Sequence, residues 1–165
     1  MQKTNNLTIS LGKPITAPAL IPVRHTATPT CINNPFIING QQYSLTALSF
    51  GTPHGAVFVE DVGSTDVSLL GLELGTHPRF PKGASIVFIQ VIDSENLKAR
   101  LWQQGEGERS FTPEAACVAG TAAIMLQKIF SNHIATVSMG GTPYHVQWDR
   151  DSENVSISGP AKYMG

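Results

Sequence analysis

Three side chains in this sequence can exchange a proton near neutral pH and stand beside turn or helix-start signals: His54, Glu108 and Glu114. An imidazole and two carboxylates are the ordinary donors and acceptors of general acid/base chemistry. Thr112 adds a hydroxyl two residues before Glu114. Thr112-Pro113-Glu114 also has a purely structural meaning. It offers a capping hydroxyl, a proline at the first helical position and an acid at the positive end of a helix dipole. His54 follows Gly51-Thr52-Pro53, and a histidine after such a turn serves packing as readily as catalysis. The thiols point to no site. Cys31 and Cys117 lie far apart and match no metal-ligand spacing, and Cys117 sits in an apolar helical run where a buried thiol is expected. No metal centre is expected.

The elements that must carry these groups are mostly strands. Leu7 to Leu11 alternates as a strand, and residues 13–35, rich in proline and threonine, read as an extended surface arm. Phe36 onward forms a hairpin about Asn39-Gly40, a pair suited to a two-residue turn of positive φ. Tyr43 to Phe50 and Gly55 to Asp61 are the next strands, with His54 in the turn between them. Asp66 to Leu74 has helical spacing, with Ser64 or Thr65 as its cap. Ala84 to Ile92 and Leu97 to Trp102 flank a turn at residues 93–96. Thr112 then opens one long helix. From Ala115 to Phe130 it is small and apolar nearly all round, which predicts burial on most faces. Ile134 to Met139, Pro143 to Trp148 and Asn154 to Ser158 close the chain as strands. The pattern predicts an α+β fold: a mixed β-sheet curled barrel-like around one central buried helix, in a single domain over residues 1–165.

Composition agrees with this and excludes several partners. Hydrophobic residues make up 41 % and charged residues 14 %, with 15 glycines and 11 prolines, as suits many short strands joined by turns. A net charge of −1 without a basic cluster argues against nucleic acid and anionic membranes. No apolar run follows the N-terminal residues Met1 to Asn6, so a cytoplasmic, reduced protein is expected.

Five segments, in order, resemble the C-terminal lobe of the diaminopimelate epimerase family, which shares its fold with proline racemase. Leu11-Gly12-Lys13-Pro14 is similar to the opening of that lobe, and Leu48-Ser49-Phe50-Gly51-Thr52-Pro53-His54 to its Val-Ser-Met-Gly-Asn-Pro-His. Phe80-Pro81-Lys82-Gly83 resembles Phe-Pro-x-Gly, Gly105-Glu106-Gly107-Glu108 the Gly-x-Gly-Glu of the catalytic loop, and Gly140-Gly141 with Ser158-Gly159-Pro160-Ala161 the C-terminal motifs. The resemblance implies two lobes facing across a cleft, one cysteine from each, and no pyridoxal or other cofactor. It covers only one of the two lobes.

Position by position, the resemblance also implies that the chemistry is gone. Thr112 stands where the family's catalytic cysteine stands, and Cys117 at a second, structural cysteine. A threonine hydroxyl cannot rest as the base that a thiolate is. Gln103-Gln104 replaces the Glu-Arg that assists catalysis and grips a carboxylate. Thr52 and Ser85 replace two asparagines, and His54 is kept. Pro113 has no N–H for the anion cradle at the helix start, and Glu114 brings a like charge to it. Two such charges about 4 Å apart repel by roughly 4 kcal/mol in a surface-like dielectric. The implied cleft is Thr52, His54, Ser85, Gln103, Gln104, Gly105, Gly107 and Thr112, with no catalytic residue assigned among them.

The leading expectation is therefore a non-catalytic, epimerase-like lobe acting by binding or assembly, a small polar ligand included. The alternative is an isomerase or lyase of altered chemistry, with His54, Glu108 and Glu114 as acid/base groups in a cleft completed by another chain. A third reading, an ordinary racemase lobe working with a separate first lobe, is opposed by Gln103-Gln104. Phe50, Trp102 and Phe111 beside the cleft suggest a covered face, hence a homodimer or a heterodimer with a protein like the N-terminal lobe.

Overall fold

The computed structural model describes residues 5–26, 29–130 and 133–164. Met1 to Thr4, part of the N-terminal stretch on which the cytoplasmic expectation rests, lie outside them. The strands are β1 (Asn6–Gly12), β2 (Asn34–Ile38), β3 (Gln41–Ser49), β4 (Pro53–Phe58), β5 (Ser85–Val91), β6 (Asn96–Gln103), β7 (Gly107–Arg109), β8 (Ile134–Met139), β9 (Thr142–Trp148) and β10 (Val155–Pro160). The helices are α1 (Val67–Gly75), α2 (Pro113–Met125) and α3 (Ala161–Met164). The expected α+β class is found. One sheet runs β1-β10-β9-β8-β6-β5-β4-β3-β2, with β7 paired to β6.

The sheet curls around α2 without closing. Helix α2 packs against β3, β4, β5, β6, β8, β9 and β10, while β1 and β2 form the edges of the sheet. Ten consecutive residues of α2, Ala115 to Ile124, are buried. Helix α1 lies on the other face of the sheet. It joins β4 to its parallel neighbour β5, as α2 and its flanking segments join β6 to parallel β8. Such parallel pairs need a crossover, and the two helices supply it.

Most element expectations hold, and the departures have local causes. Asn39 and Gly40 take φ of 50° and 81°, the turn that a two-residue hairpin requires. Helix α1 is capped by Asp66, whose carboxylate accepts the Leu69 N–H at 3.2 Å. Ser64 and Thr65, the expected caps, instead donate to the Asp61 carbonyl in a short 3-10 turn. Helix α2 stops at Met125 rather than Phe130. Gln127 turns left-handed at φ 58°, Lys128 N–H donates to Ala123 O at 2.8 Å and Gln127 N–H to Ile124 O at 3.1 Å. That is a Schellman end built without the usual glycine. The segment before β2 is only partly a surface arm. Ile21 and Val23 are buried, and Arg79 pins the segment by donating to the carbonyls of Arg24, His25 and Pro35, its guanidinium 4.0 Å over the Phe36 ring.

Trp102 needs a correction too. It does not flank an open cleft; it is 6 % exposed and packs under α1. A Cβ on Gly71 would stand 2.3 Å from Trp102 Cβ, and one on Gly75 2.4 Å from its ring. The glycines are there because the indole leaves no room. No helix among the described residues is long and apolar enough to cross a membrane.

Gly71→Ala should therefore destabilise the fold by about 1–3 kcal/mol, the usual cost of overpacking, read as a lower urea midpoint at unchanged slope. A wild-type midpoint would refute the Trp102 packing. In hydrogen exchange, the amides of Ala119 to Ala123 should be among the slowest of the chain.

Candidate functional site

Three strands and one helix end meet at a single place. In β4, β5 and β6 the residues turned toward α2 are Ala56, then Val87 and Ile89, then Leu97, Ala99 and Leu101, all in the core cluster that holds α2. Strand alternation puts His54, Ser85 and Gln103 on that same face. His54 pairs with Ser85 across the parallel ladder, and the β5–β6 register, Ile86 with Trp102, brings Gln103 next in line. The row lies at the strand ends where α2 begins. Thr112 caps that helix: its Oγ1 accepts the Ala115 N–H at 3.0 Å, with the backbone at φ −137° and ψ 149°.

Glu114, in the first turn, reaches across to the β3–β4 turn. Its carboxylate accepts the Thr52 N–H at 3.1 Å and the Thr52 hydroxyl at 3.0 Å. His54 Nδ1 stands 3.7 Å from the same carboxylate. That nitrogen also lies 3.0 Å from the Thr52 carbonyl, which can only accept, so Nδ1 carries the proton. The ring is 3 % exposed. Burial pushes its pKa below the ordinary 6.5, against the smaller opposing pull of Glu114 and of the Thr52 carbonyl. At neutral pH, His54 is a neutral donor beside Glu114 rather than half of an ion pair.

The remaining candidates divide. Glu108 is not part of this row. It pairs with Trp102 in the ladder and forms a bidentate bridge to Arg100, at 2.8 and 3.0 Å. Arg100 and Trp102 alternate with the α2-facing residues of β6, so Glu108 belongs to the opposite face. Arg100 also donates to the carbonyls of Val62 and Thr65 on that side. Gln104 acts as a strap: its N–H donates to Ser85 Oγ at 3.0 Å and its Nε2 to the Lys82 carbonyl at 2.7 Å. Gln103 keeps a buried Oε1 that accepts no hydrogen bond from the described residues. Gly105 and Gly107, at φ 83° and 88°, make the tight turn into β7 and offer no side chain. Cys117 is buried behind the helix start, and burial with the nearby Glu114 charge pushes its thiol up to about 12. It is no thiolate at neutral pH.

No group of three His, Cys, Asp or Glu among the described residues is placed to hold a metal ion. What the arrangement can do is accept and orient: carboxylate oxygens, an amide oxygen and a neutral imidazole around one helix end. The Thr52–Glu114 contact had no sequence signal, because it joins residues 62 apart through side-chain geometry alone.

A low His54 pKa gives a pH signature. Between the folded and unfolded pKa values the unfolded chain binds more protons, so stability should fall as pH drops below about 6.5, the unfolded value. Urea midpoints at pH 7.5 and 5.5 would measure this, with the His54 ring followed by NMR. Glu114→Gln removes the charge that favours protonation, so the ring pKa should fall further; a rise would contradict the geometry.

The model of the diaminopimelate epimerase family matches residues 46–164. Among curated relatives, the diaminopimelate epimerase of Pseudomonas aeruginosa is 37 % identical over 155 residues, covering 94 % of this chain and 55 % of that protein. The diaminopimelate epimerase of Oceanobacillus iheyensis is 32 % identical over 162 residues, 98 % of this chain and 56 % of its own length. The chain thus spans about half the length of the curated relatives it matches. Two solved structures share the fold. A probable proline racemase from Agrobacterium radiobacter has a TM-score of 0.59 at 12 % identity, over 94 % of this chain and 50 % of that one. A phenazine biosynthesis protein of the PhzF family from Bacillus anthracis has 0.57 at 16 %, over 94 % and 57 %.

Proposed function

The chain belongs to the diaminopimelate epimerase family, and on that premise we propose that it is a non-catalytic, epimerase-like lobe that acts by binding or assembly. One observation carries the reading. At the helix start, where the resemblance sets the catalytic cysteine and the substrate's carboxylate, stand a capping threonine and the chain's own carboxylate. The Thr112 oxygen already accepts a backbone N–H, and a hydroxyl so used is no general base. Cys117, the one thiol near this helix end, is buried and protonated. Gln103 contributes an uncharged acceptor where the family has an acid, and Arg100 reaches to the far side of the sheet.

The reading includes a partner. Phe50 and Phe111, partly buried against the α2 cluster near the row, favour a covered face over an open one. A second copy, or a protein like the family's first lobe, would meet that face. Trp102, packed under α1 on the opposite face, is not part of this surface. The second reading, altered chemistry completed by another chain, draws on His54 and Glu114 at 3.7 Å. It loses Glu108, whose carboxylate is bound to Arg100.

The test is α-proton exchange in deuterated water with LL- and meso-diaminopimelate and proline. The purified chain should incorporate no deuterium above the buffer blank, and Thr112→Cys should not restore it. Incorporation abolished by His54→Gln or Glu114→Gln would favour the altered enzyme. Light scattering at micromolar concentration should give the mass of a dimer, or a monomer that forms one with a first-lobe protein.

A further inference from the structure

Two motifs near the C-terminus, Gly140-Gly141 and Ser158-Gly159-Pro160-Ala161, take no part in the His54 row. Both converge on a separate cavity of about 310 Å3, which none of the row residues lines. Gly140 lines it directly, Gly159 packs against its Tyr144 wall, and Ala161 opens the short helix α3 that supplies Lys162 and Tyr163. We infer that this cavity, bounded by the β8–β9 turn, the loop before α2 and helix α3, binds a small aromatic anion. The inference rests on the binding role proposed above and gives it a ligand class.

Size and charge support an anion. The volume is at the lower end of the roughly 300–1,000 Å3 that small-molecule sites occupy. The lining residues bring one cation, Lys162, the hydroxyl-bearing side chains of Ser110, Thr142, Tyr144 and Tyr163, and no acid. Lys162 is exposed and forms no salt bridge among the described residues. Its ammonium stands 5.0 Å from the centroid of the Tyr163 ring. A cation whose surroundings hold only hydroxyls and rings attracts an anion, although the whole chain carries a net charge of −1. Hydroxyl donors beside it strengthen the pull, because hydrogen bonds to an ionised acceptor are the stronger kind.

The aromatic part of the ligand follows from the wall. Phe111 and Tyr144 lie parallel, 3.9 Å apart between centroids and 6° between planes. Stacked rings accept a further planar group more readily than an aliphatic one. The wall is fixed before any ligand arrives. Tyr144 is 2 % exposed, and a Cβ on Gly159 would stand 2.5 Å from its Cδ1. Gly140 turns left-handed at φ 57°, and a Cβ there would meet Ser110 Cβ at 3.0 Å, so the β8–β9 turn sits tight on the loop before α2. Helix α3 is tied down by the Ala161 N–H, which donates to Asn5 O at 2.9 Å, and by buried Met164.

The experiment titrates the full 15N-labelled chain with sodium benzoate, which carries both the ring and the charge. Benzamide keeps the ring without the charge, and sodium acetate keeps the charge without the ring. With ionic strength held constant by sodium chloride, benzoate should shift the amides of Gly140, Gly141 and Lys162 saturably. Benzamide and acetate should each bind at least about fivefold more weakly. Lys162→Gln should weaken benzoate by about fivefold or more and leave benzamide unchanged, a split that loss of a charge contact produces and a structural defect does not. Phe111→Leu should weaken benzoate and benzamide alike, with amide dispersion reporting that each variant is folded. No saturable shift at these amides, benzamide or acetate binding as tightly as benzoate, or a folded Lys162→Gln that binds benzoate like the wild type would each overturn the inference. These readouts are independent of proton exchange, so failure here leaves the non-catalytic reading in place, and deuterium incorporation would refute that reading without touching this site.

Discussion

The larger of the two cores, on the concave face of the sheet, is arranged around a helix with no solvent face over ten consecutive residues. An α-helix buried this completely has to be thin, and α2 is built from Ala115, Ala116, Ala119, Gly120, Ala122 and Ala123 with few larger side chains. At Gly120 even a methyl group would come within 2.7 Å of Val146 Cγ1. A thin helix lets the strands approach closely, and strands from β3 to β10 curl to reach it. The cost of burying polar backbone is avoided because the helix satisfies its own hydrogen bonds and both ends are capped by the chain. The start is capped by Thr112, and the end closes through Lys128 and Gln127.

How much of this could be read beforehand follows from the range of each interaction. Short-range signals were legible: Thr112-Pro113 as a helix start, Asn39-Gly40 as a hairpin, the alternation in most strands and the apolar run of α2. Misreadings arose where neighbours compete for one role. Ser64 and Thr65 looked like caps, but Asp61 takes both hydroxyls and leaves the cap to Asp66. The end of α2 was invisible because a glutamine, not a glycine, takes the left-handed position. The site was legible through the resemblance as a set of residues but not as a geometry. Strand parity decides that Gln103 faces α2 and Glu108 does not, and no spacing argument supplied the register.

The two acids nearest the helix start have been given different surroundings by that parity. Glu108 meets a guanidinium in planar, two-point contact, an arrangement that fixes the β6–β7 hairpin over the 3-10 turn. Glu114 meets neutral donors and a histidine kept uncharged by burial. The first is charge against charge and structural; the second is an anion held by dipoles. Gln104, with bonds to Ser85 and Lys82, ties the two regions to the loop before β5.

The open edges of the sheet bear on how copies of this chain can meet. Exposed strand edges invite another strand to add on. Here β2 carries Pro35, which has no N–H to offer, and its carbonyl is occupied by Arg79 at 2.6 Å. At the opposite edge β1 is irregular between Ser10 and Gly12, where its register with β10 slips. A bulge of that kind twists an edge away from a straight partner. Both borders thus discourage the continuous ladder from which fibrils grow, so an open sheet wrapped on a nonpolar helix can persist as a discrete particle.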